Sequence, residues 1–355
     1  MKKDRELYKE KLKEYTAFYS TLDASKLKPA SGILREYQLK TLDFCKKIIF
    51  ELEKQNIKYF PIGGTLIGAI RHGGFVPWDD DFDIGMMRKD YTKTLEFCKK
   101  NFIEISTSEI SYTTKNRFLV WNKYLKKNPN KIIFSKTPHH IQILKGTSID
   151  DCVNIDIFPH DNYKNSLTLD EYNKYMAHIA TKKYSLGRFD KILEFYENER
   201  KTNPIFDENG SVIYYGLDNI DNYILTRKGF FNYDMIFPLK KIKFEDFEIS
   251  IQNDPLQYAE LQYRNCLKMP SDITISSHIN ARKNDTLFFK AAPFRILLFY
   301  FLRKLISKNQ NEENIDIKQA AIIDLKEKLF YKKENFKTLY YNLSSKYEFL
   351  KSISE

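Results

Sequence analysis

Two groups of residues, about twenty positions apart, have the types and spacing that phosphate chemistry needs. The first is the glycine turn Gly63–Thr65. Glycine has no Cβ, so a backbone turn at this point can approach a phosphate closely. The second is the acidic run Asp79–Asp83. Alternate residues of an extended segment point to the same side, so Asp81 and Asp83 are expected to bind one cation together.

A calcium loop and a solvated turn both account for the acidic run less well than a metal site with two aspartates. An EF-hand calcium loop also has acids at alternate positions, but it needs a glycine where this chain has Ile84 and a glutamate where it has Asp90. A solvated acidic turn does not suit a run that lies between Trp78 and Phe82. Carboxylates held among apolar residues repel one another unless a cation is present, so a cation site is the simpler interpretation.

Composition sets the broad class of the protein. The chain has 355 residues, 42% of them hydrophobic and 15% aromatic, which indicates a folded protein with one large core or two domains. Its net charge of +11 favours anionic partners such as nucleotides, phosphorylated glycans, lipid headgroups or nucleic acids. The four cysteines have no zinc-site spacing and indicate a reducing compartment. The charged start of the chain has no hydrophobic leader, so a cytosolic location is expected.

Hydrophobic periodicity predicts the elements that position these groups. Apolar residues recur at helical spacing from Leu34 to Gln55, and a short strand, Ile57–Ile62, is expected to lead into the glycine turn. Thr65 is expected to cap the next helix. The acidic run then leads into a strand, Phe82–Met86, and a later strand, Val153–Phe158, carries Asn154 and Asp156 on the face opposite its apolar side chains.

Farther along the chain, a helical pattern is expected from Leu169 to about Arg200, and alternation over Ile242–Ile249 predicts strands with a turn near Glu245. The apolar run Phe294–Ile306 is far shorter than the roughly twenty residues that span a bilayer. A buried helix is the favoured interpretation of this run. An in-plane membrane helix bordered by Arg and Lys is the alternative.

The order of strand, glycine turn, short helix, acid-x-acid strand and a later strand with a third acid resembles the nucleotidyltransferase superfamily. Within it, the run Gly63–Ile84 is similar to the signature of the LicD family over more than twenty residues. Further matches to that family are Gln38, Asn154–Pro159, Phe237–Pro238 and Phe244–Glu245, so the resemblance covers roughly residues 34 to 270. Near Tyr263 the chain lacks a glycine that relatives often have. The sequence therefore departs from the family more on the acceptor side of the site than on the donor side.

The resemblance implies an α+β fold, with the mixed sheet of a nucleotidyltransferase flanked by helices. It implies a helical extension over residues 1–33, a catalytic domain over 34–285 and a helical region over 286–355. Asp81 and Asp83 match the family's metal-binding pair, and Asp156 matches its third acid, as a shared metal ligand or as the base. The expected ion is Mg²⁺, with Mn²⁺ as an alternative. The positions implied to bind the donor are Gly63, Gly64, Thr65, Arg71 and His72.

The resemblance implies transfer of a phospho-alcohol from a CDP-activated donor to a glycan or glycolipid hydroxyl, with release of CMP. Phosphocholine is the first choice for the transferred group. The acceptor would be a precursor of lipopolysaccharide, teichoic acid or capsule at the inner face of the cytoplasmic membrane, with peripheral contact through Phe294–Ile306. An alternative is transfer of NMP with release of pyrophosphate. A nucleic-acid-binding role ranks below both, because the Lys residues are scattered and no RNA-binding motif is present.

Overall fold

The structure, a computed structural model, describes residues 2–110, 114–186, 188–219, 229–263, 265–270 and 336–354. By its internal contacts the chain divides into two compact units. A central unit comprises Pro29–Lys283, and a terminal unit comprises Met1–Lys28 together with Asn284–Glu355. The predicted apolar helix Phe294–Ile306 lies outside the described residues, so neither interpretation of it is tested.

The central unit contains most of the described helices and all of the described strands. Its helices are α2 (Gly32–Lys54), α3 (Gly63–His72), α4 (Arg88–Asn101), α5 (Thr114–Lys127), α6 (Leu169–Leu186), α7 (Phe189–Thr202), α8 (Tyr233–Ile236) and α9 (Pro255–Gln262). Its strands are β1 (Phe60–Pro61), β2 (Asp83–Met87), β3 (Ile103–Glu104), β4 (Ile132–Lys136), β5 (Ile141–Lys145), β6 (Val153–Tyr163), β7 (Val212–Tyr215), β8 (Phe231–Asn232), β9 (Lys240–Phe244) and β10 (Phe247–Ile251). The terminal unit contains α1 (Lys2–Tyr19) and α10 (Phe336–Ser354).

Eight of the described strands form one mixed sheet around β6. The main path runs β1-β2-β6-β5-β4-β3, while β7 pairs with the second half of β6 and β8 pairs with β7. Strand β2 runs parallel to β6, and β5 runs antiparallel to it on the other side. The parallel pairs β2–β6 and β3–β4 lie among antiparallel ones, which confirms the predicted α+β class with a mixed sheet.

Strand β6 occupies the centre because its alternating pattern satisfies both faces. Ile155 and Ile157 are fully buried in the core, and Asp156 between them is only partly buried on the opposite face. The predicted separation of apolar and polar faces is therefore confirmed. The strand continues to Tyr163, past the predicted end at Phe158, because its second half pairs with β7.

Two local predictions differ from the structure. Helix α3 begins at Gly63, after Ile62, so Thr65 lies inside the helix and does not cap it. The strand before the glycine turn is reduced to Phe60–Pro61. The helical pattern predicted from Leu169 to about Arg200 is confirmed as two helices, α6 and α7, and Arg188 has an extended backbone before α7 begins. The hairpin predicted near Glu245 is confirmed as β9 and β10.

In the terminal unit, α1 and α10 pack against each other through aromatic contacts. The rings of Phe18 and Tyr347 meet edge to face with centroids 5.1 Å apart. Lys11 Nζ lies 4.1 Å from the centroid of the same tyrosine ring. Such contacts add to the burial of the aliphatic residues Leu350 and Ile353 on α10. No helix in the described part of the chain is long and apolar enough to cross a bilayer.

A buried ion cluster joins the end of β2 to β6 and α7. Arg88, directly after β2, donates from Nε to Asp161 Oδ1 at 2.6 Å and from Nη2 to Asp218 Oδ2 at 2.7 Å. Arg200 Nη1 donates to the same Asp218 oxygen at 3.1 Å. Burial alone raises the pKa of Asp218, but Arg88, Arg200 and Lys136 outweigh it and hold this pKa below its ordinary value.

Because the folded-state pKa of Asp218 is lowered, its ionised form contributes stability at any pH above its unfolded value, about 4. This contribution is lost as the pH falls through the lower folded-state pKa. We expect Asp218→Asn to destabilise the protein by about 3 kcal/mol at pH 7, since it removes one carboxylate partner from both Arg88 and Arg200 in a buried cluster. Urea unfolding measured from pH 3 to pH 7 should therefore show a smaller rise of stability with pH in the variant.

The matched control is Asp170→Asn, which breaks an exposed pair with Lys174 and should leave the unfolding free energy nearly unchanged. Equal losses in the two variants would contradict a special role for the buried cluster.

Candidate active site

Strands β2 and β6 bring two of the predicted acids side by side. Asp83 pairs in register with Asp156 across the parallel ladder, so the two side chains lie on the same face of the sheet. The glycine turn is joined to the same point by two hydrogen bonds. The Asp83 amide donates to Thr65 Oγ1 at 2.8 Å, and the Ile62 amide donates to the Asp83 carbonyl at 3.1 Å. Thr65 thus fixes the position of the acid strand relative to α3.

Charge is concentrated around Asp83. Burial, followed by the neighbouring carboxylates of Asp81 and Asp156, holds the pKa of Asp83 well above its ordinary value. The pKa of the Cys45 thiol is likewise raised, chiefly by burial and then by Asp156 and Asp83. The negative charge of the neighbouring carboxylates contributes to both of these raised pKa values. A bound cation would relieve the repulsion between these carboxylates.

The described residues contain no group of three or more His, Cys, Asp or Glu side chains already placed to hold a metal ion. Asp81, Asp83 and Asp156 therefore stay predicted ligands. Their fit to a divalent ion is one of charge and donor type, since carboxylate oxygens suit Mg²⁺ or Mn²⁺.

Asp156 is surrounded by polar side chains of β5 and β6. Gln142 Nε2 donates to Asp156 Oδ1 at 2.6 Å, and Asn154 Nδ2 donates to the same oxygen at 3.1 Å. The second oxygen, Oδ2, lies 3.5 Å from His140 Nε2. The two carboxylate oxygens of Asp156 therefore have different surroundings.

Helix α2 supports the acidic loop, the segment between α3 and β2 that carries Asp79, Asp80 and Asp81. Gln38, fully buried, donates through Nε2 to the carbonyls of Asp79 at 2.8 Å and Val76 at 3.3 Å. Asp80 is itself buried, and its amide donates to Asp79 Oδ1 at 3.1 Å. The loop thus has a defined backbone path before the chain enters β2.

A charged clamp, the ion pair between Arg35 and Glu245, fixes the start of this loop. Arg35 of α2 makes two hydrogen bonds to Glu245 at the β9–β10 turn, Nη1 to Oε1 at 2.9 Å and Nη2 to Oε2 at 2.7 Å. Glu245 Oε1 also accepts from the Phe75 amide at 3.1 Å, and the Glu245 amide donates to the Gly73 carbonyl. Two segments distant in sequence therefore hold the start of the acidic loop.

We expect Arg35→Ala to destabilise the central unit by about 2 kcal/mol, because it removes a two-pronged charged hydrogen bond from a partly buried carboxylate. Turnover should fall about tenfold, as the acidic loop loses one of its supports. Chemical denaturation and the rate of the catalysed reaction measure the two effects. Lys46→Ala, which removes a pair between α2 and the exposed Asp246 in the same turn, should change neither. A loss of the same size in that variant would contradict the clamp.

Arg71 and His72 lie at the C-terminal end of α3. Arg71 Nε donates to His72 Nε2 at 2.9 Å, and Arg71 Nη1 donates to the carbonyls of Cys266 and Lys268, both at 3.0 Å. Burial, followed by the Arg71 charge, lowers the pKa of His72 to about 4, so the ring is neutral at pH 7. Arg71 therefore ties the segment after α9 to α3. The donor-binding roles of Arg71 and His72 stay predictions.

Tyr263, at the end of α9, is brought to the glycine turn. The position that a Cβ of Gly63 would take lies 3.2 Å from Asp83 Oδ2 and 3.7 Å from Tyr263 Oη. Tyr263 is 41% exposed, and its hydroxyl lies on the same side of Gly63 as the Asp83 carboxylate. This residue belongs to the segment in which the sequence departs from the resemblance.

Sequence reasoning did not assign several residues that the structure places around the site. Gln142 had a usable signal, because it alternates with the apolar Ile141 and Ile143. Glu245 was predicted only near a turn and Tyr263 only in the segment that departs from the resemblance, because each reaches the site through long-range packing. The structure brings Gly63, Thr65, Asp83 and Asp156 together, and it places Arg71 and His72 at the far end of α3.

Comparison with known proteins agrees with this geometry. Residues 56–186 match the family model described as LicD/FKTN/FKRP, nucleotidyltransferase domain. Residues 56–186 form a LicD-family domain. The predicted family is therefore confirmed for this segment, which contains the glycine turn, the acidic run, Gln142 and Asp156.

Similarity to individual proteins is confined to parts of each chain. An uncharacterized protein of Rickettsia prowazekii is 33% identical over 119 residues, which cover 28% of this chain and 44% of the relative. The lipopolysaccharide cholinephosphotransferase LicD of Haemophilus influenzae is 48% identical over 63 residues, 18% of this chain and 24% of the relative. Human ribitol 5-phosphate transferase FKRP is 28% identical over 97 residues, 27% of this chain and 18% of the relative. The chain thus spans less than half the length of each.

The LicD-family domain holds the acids but not all of their supports. Arg35 and Gln38 precede residue 56, while Glu245 and Tyr263 follow residue 186. These flanking residues contact the domain at the acidic loop and the glycine turn. The segments on both sides of the domain therefore contribute to its candidate site.

Proposed function

We propose that this protein transfers a phospho-alcohol from a CDP-activated donor to a hydroxyl of a glycan precursor, in a Mg²⁺-dependent reaction that releases CMP. The observation that carries the proposal is the register of Asp83 with Asp156 beside the Gly63–Thr65 turn. A glycine turn at a helix N-terminus suits phosphate, and adjacent carboxylates suit the cation that accompanies it. Both lie inside the LicD-family domain.

The ion would be held by Asp81, Asp83 and Asp156. The raised pKa of Asp83 supports this assignment, because a site with surplus negative charge favours a cation. When bound, the ion neutralises charge on the donor diphosphate and on the departing CMP.

The protein's own residues then orient the reactants. Backbone amides of the first turn of α3, from Gly63 to Thr65, face the donor phosphates. The acceptor hydroxyl oxygen attacks the phosphorus that carries the alcohol, and a new P–O bond forms as the P–O bond to CMP breaks. The hydroxyl proton passes to Asp156 Oδ2, the oxygen that is not held by the two amides. CMP leaves with the electron pair of the broken bond.

Phosphocholine is the proposed group because the LicD cholinephosphotransferase has 48% identity over its matched segment. The similarity to a ribitol 5-phosphate transferase makes ribitol phosphate the next choice. The proposed acceptors are precursors of lipopolysaccharide, teichoic acid or capsule, met at the inner face of the cytoplasmic membrane. The net charge of +11 favours such anionic partners.

A panel of donors tests this proposal. The purified chain is incubated with Mg²⁺, a candidate acceptor and one of CDP-choline, CDP-ethanolamine, CDP-glycerol or CDP-ribitol, and the nucleotide products are separated by chromatography. CMP release with one donor, and its abolition by EDTA, is the expected result. No turnover with any donor, or pyrophosphate release from a nucleoside triphosphate in its place, would overturn the proposal.

A further inference from the structure

Gln142 occupies a special position in the sheet. It lies on β5 directly opposite Asp156 on β6, and its side chain is 7% exposed. Its amide nitrogen donates to Asp156 Oδ1 at 2.6 Å, the shorter of the two amide contacts to that oxygen. An uncharged amide at this point holds the carboxylate without neutralising it.

The other end of the same amide is not satisfied within the protein. Gln142 Oε1 is buried and accepts no hydrogen bond from any residue that the structure describes. A buried acceptor left without a donor is costly, and such atoms in native proteins usually meet a water or a ligand. The orphaned oxygen belongs to a side chain that touches a predicted metal ligand.

We propose that both polar atoms of the Gln142 amide take part in the reaction centre, an inference that rests on the proposed function. Its Nε2, together with Asn154, holds Asp156 Oδ1 and leaves Oδ2 for the reacting group. Its Oε1 accepts a hydrogen bond from an O–H donor that enters the site. The donor is a water on the cation or the hydroxyl of the acceptor, which present the same chemistry to an amide oxygen.

Two variants of Gln142 and one of Asn154 test this inference. Gln142→Leu removes both the donor and the acceptor, while Gln142→Glu keeps the shape and an acceptor oxygen but adds charge. Asn154→Leu is the matched control, because it removes a donor to the same Asp156 oxygen and leaves Gln142 Oε1 in place. Mn²⁺ affinity without substrate is measured by electron paramagnetic resonance, and kcat and KM are measured for donor and acceptor.

Gln142→Leu is expected to weaken Mn²⁺ binding about tenfold if Oε1 contacts a cation-bound water, or to raise the acceptor KM by that factor if it contacts the acceptor. Either result comes with a lower kcat and an unchanged donor KM. Asn154→Leu should show a smaller loss. Gln142→Glu should bind Mn²⁺ more tightly while turning over more slowly, a change of sign that a merely structural residue would not produce.

The inference is overturned if Gln142→Leu has wild-type Mn²⁺ affinity, kcat and acceptor KM. It is also overturned if Asn154→Leu loses as much as Gln142→Leu in all three. Should Gln142→Leu fail to fold, the opposite effects expected of Gln142→Glu on affinity and turnover decide the matter. Failure of the proposed function is distinct, because the wild-type chain would then neither bind Mn²⁺ nor release CMP.

Discussion

Asp83→Asn is expected to abolish transfer and at the same time to make the metal-free protein harder to unfold. Loss of one anionic ligand should slow the reaction at least about 10³-fold, since a bound ion contributes several kcal/mol to such a transition state. Stability should change in the opposite direction. An acid whose folded-state pKa is raised destabilises the fold above its unfolded pKa, and Asn removes that cost.

Two measurements on the same variant check both parts. Turnover is followed by CMP release, and the thermal unfolding midpoint is recorded in EDTA, where it should be higher for the variant than for the wild type. Asp43→Asn, at an exposed acid on α2, is the control and should leave both quantities unchanged. Wild-type turnover in Asp83→Asn would refute the metal-binding assignment. A lower midpoint would instead contradict the account of charge around Asp83.

Gly68→Ala is expected to cause the second largest loss, because α3 and the loop that follows it touch at this residue. A Cβ on Gly68 would lie 2.3 Å from the Gly74 carbonyl oxygen and 3.1 Å from the Val76 amide nitrogen. Both are backbone atoms, so the loop must move as a whole. The expected cost is about 1–3 kcal/mol of stability, and about 10²-fold in rate because the acidic run is displaced.

Gly73→Ala separates strain from displacement. Gly73 ends α3 with φ of +64°, so alanine is strained there and should cost about 1–2 kcal/mol, yet no atom lies within 4 Å of its Cβ position. Denaturant unfolding should therefore show similar losses in the two variants, whereas the rate should fall only in Gly68→Ala. Equal rates would show that the approach of α3 to the loop does not position the acids.

Prediction from the sequence was most complete where the candidate functional residues lie in one short contiguous run. The stretch Gly63–Ile84 carries the turn, the helix and the acids together, so its chemistry could be predicted without the fold. The position of Asp156 on the polar face of its strand was also predicted, because a polar residue between two isoleucines shows the alternation typical of a strand. Local patterns of this kind depend on neighbours one or two positions away.

The predictions failed where the answer depended on packing between distant segments. Thr65 has the residue type of a helix cap, yet its hydroxyl accepts the Asp83 amide from the neighbouring strand. The break before α7 is a different case, because Gly187 directly precedes Arg188 and Gly is a residue that interrupts helices. For Thr65, a tertiary contact overrides the local propensity.

By itself the sequence determined the LicD family of residues 56–186, and from it we predict a phosphate-binding turn, an acid pair and a third acid. Only the tertiary structure decided which side chains support them. Arg35 and Glu245 are separated by 210 positions and meet because α2 and the β9–β10 turn pack on one loop. Gln142 faces Asp156 because the register of two antiparallel strands places it there. Residue type and spacing carry local chemistry, whereas register and packing are set by the burial of the whole core.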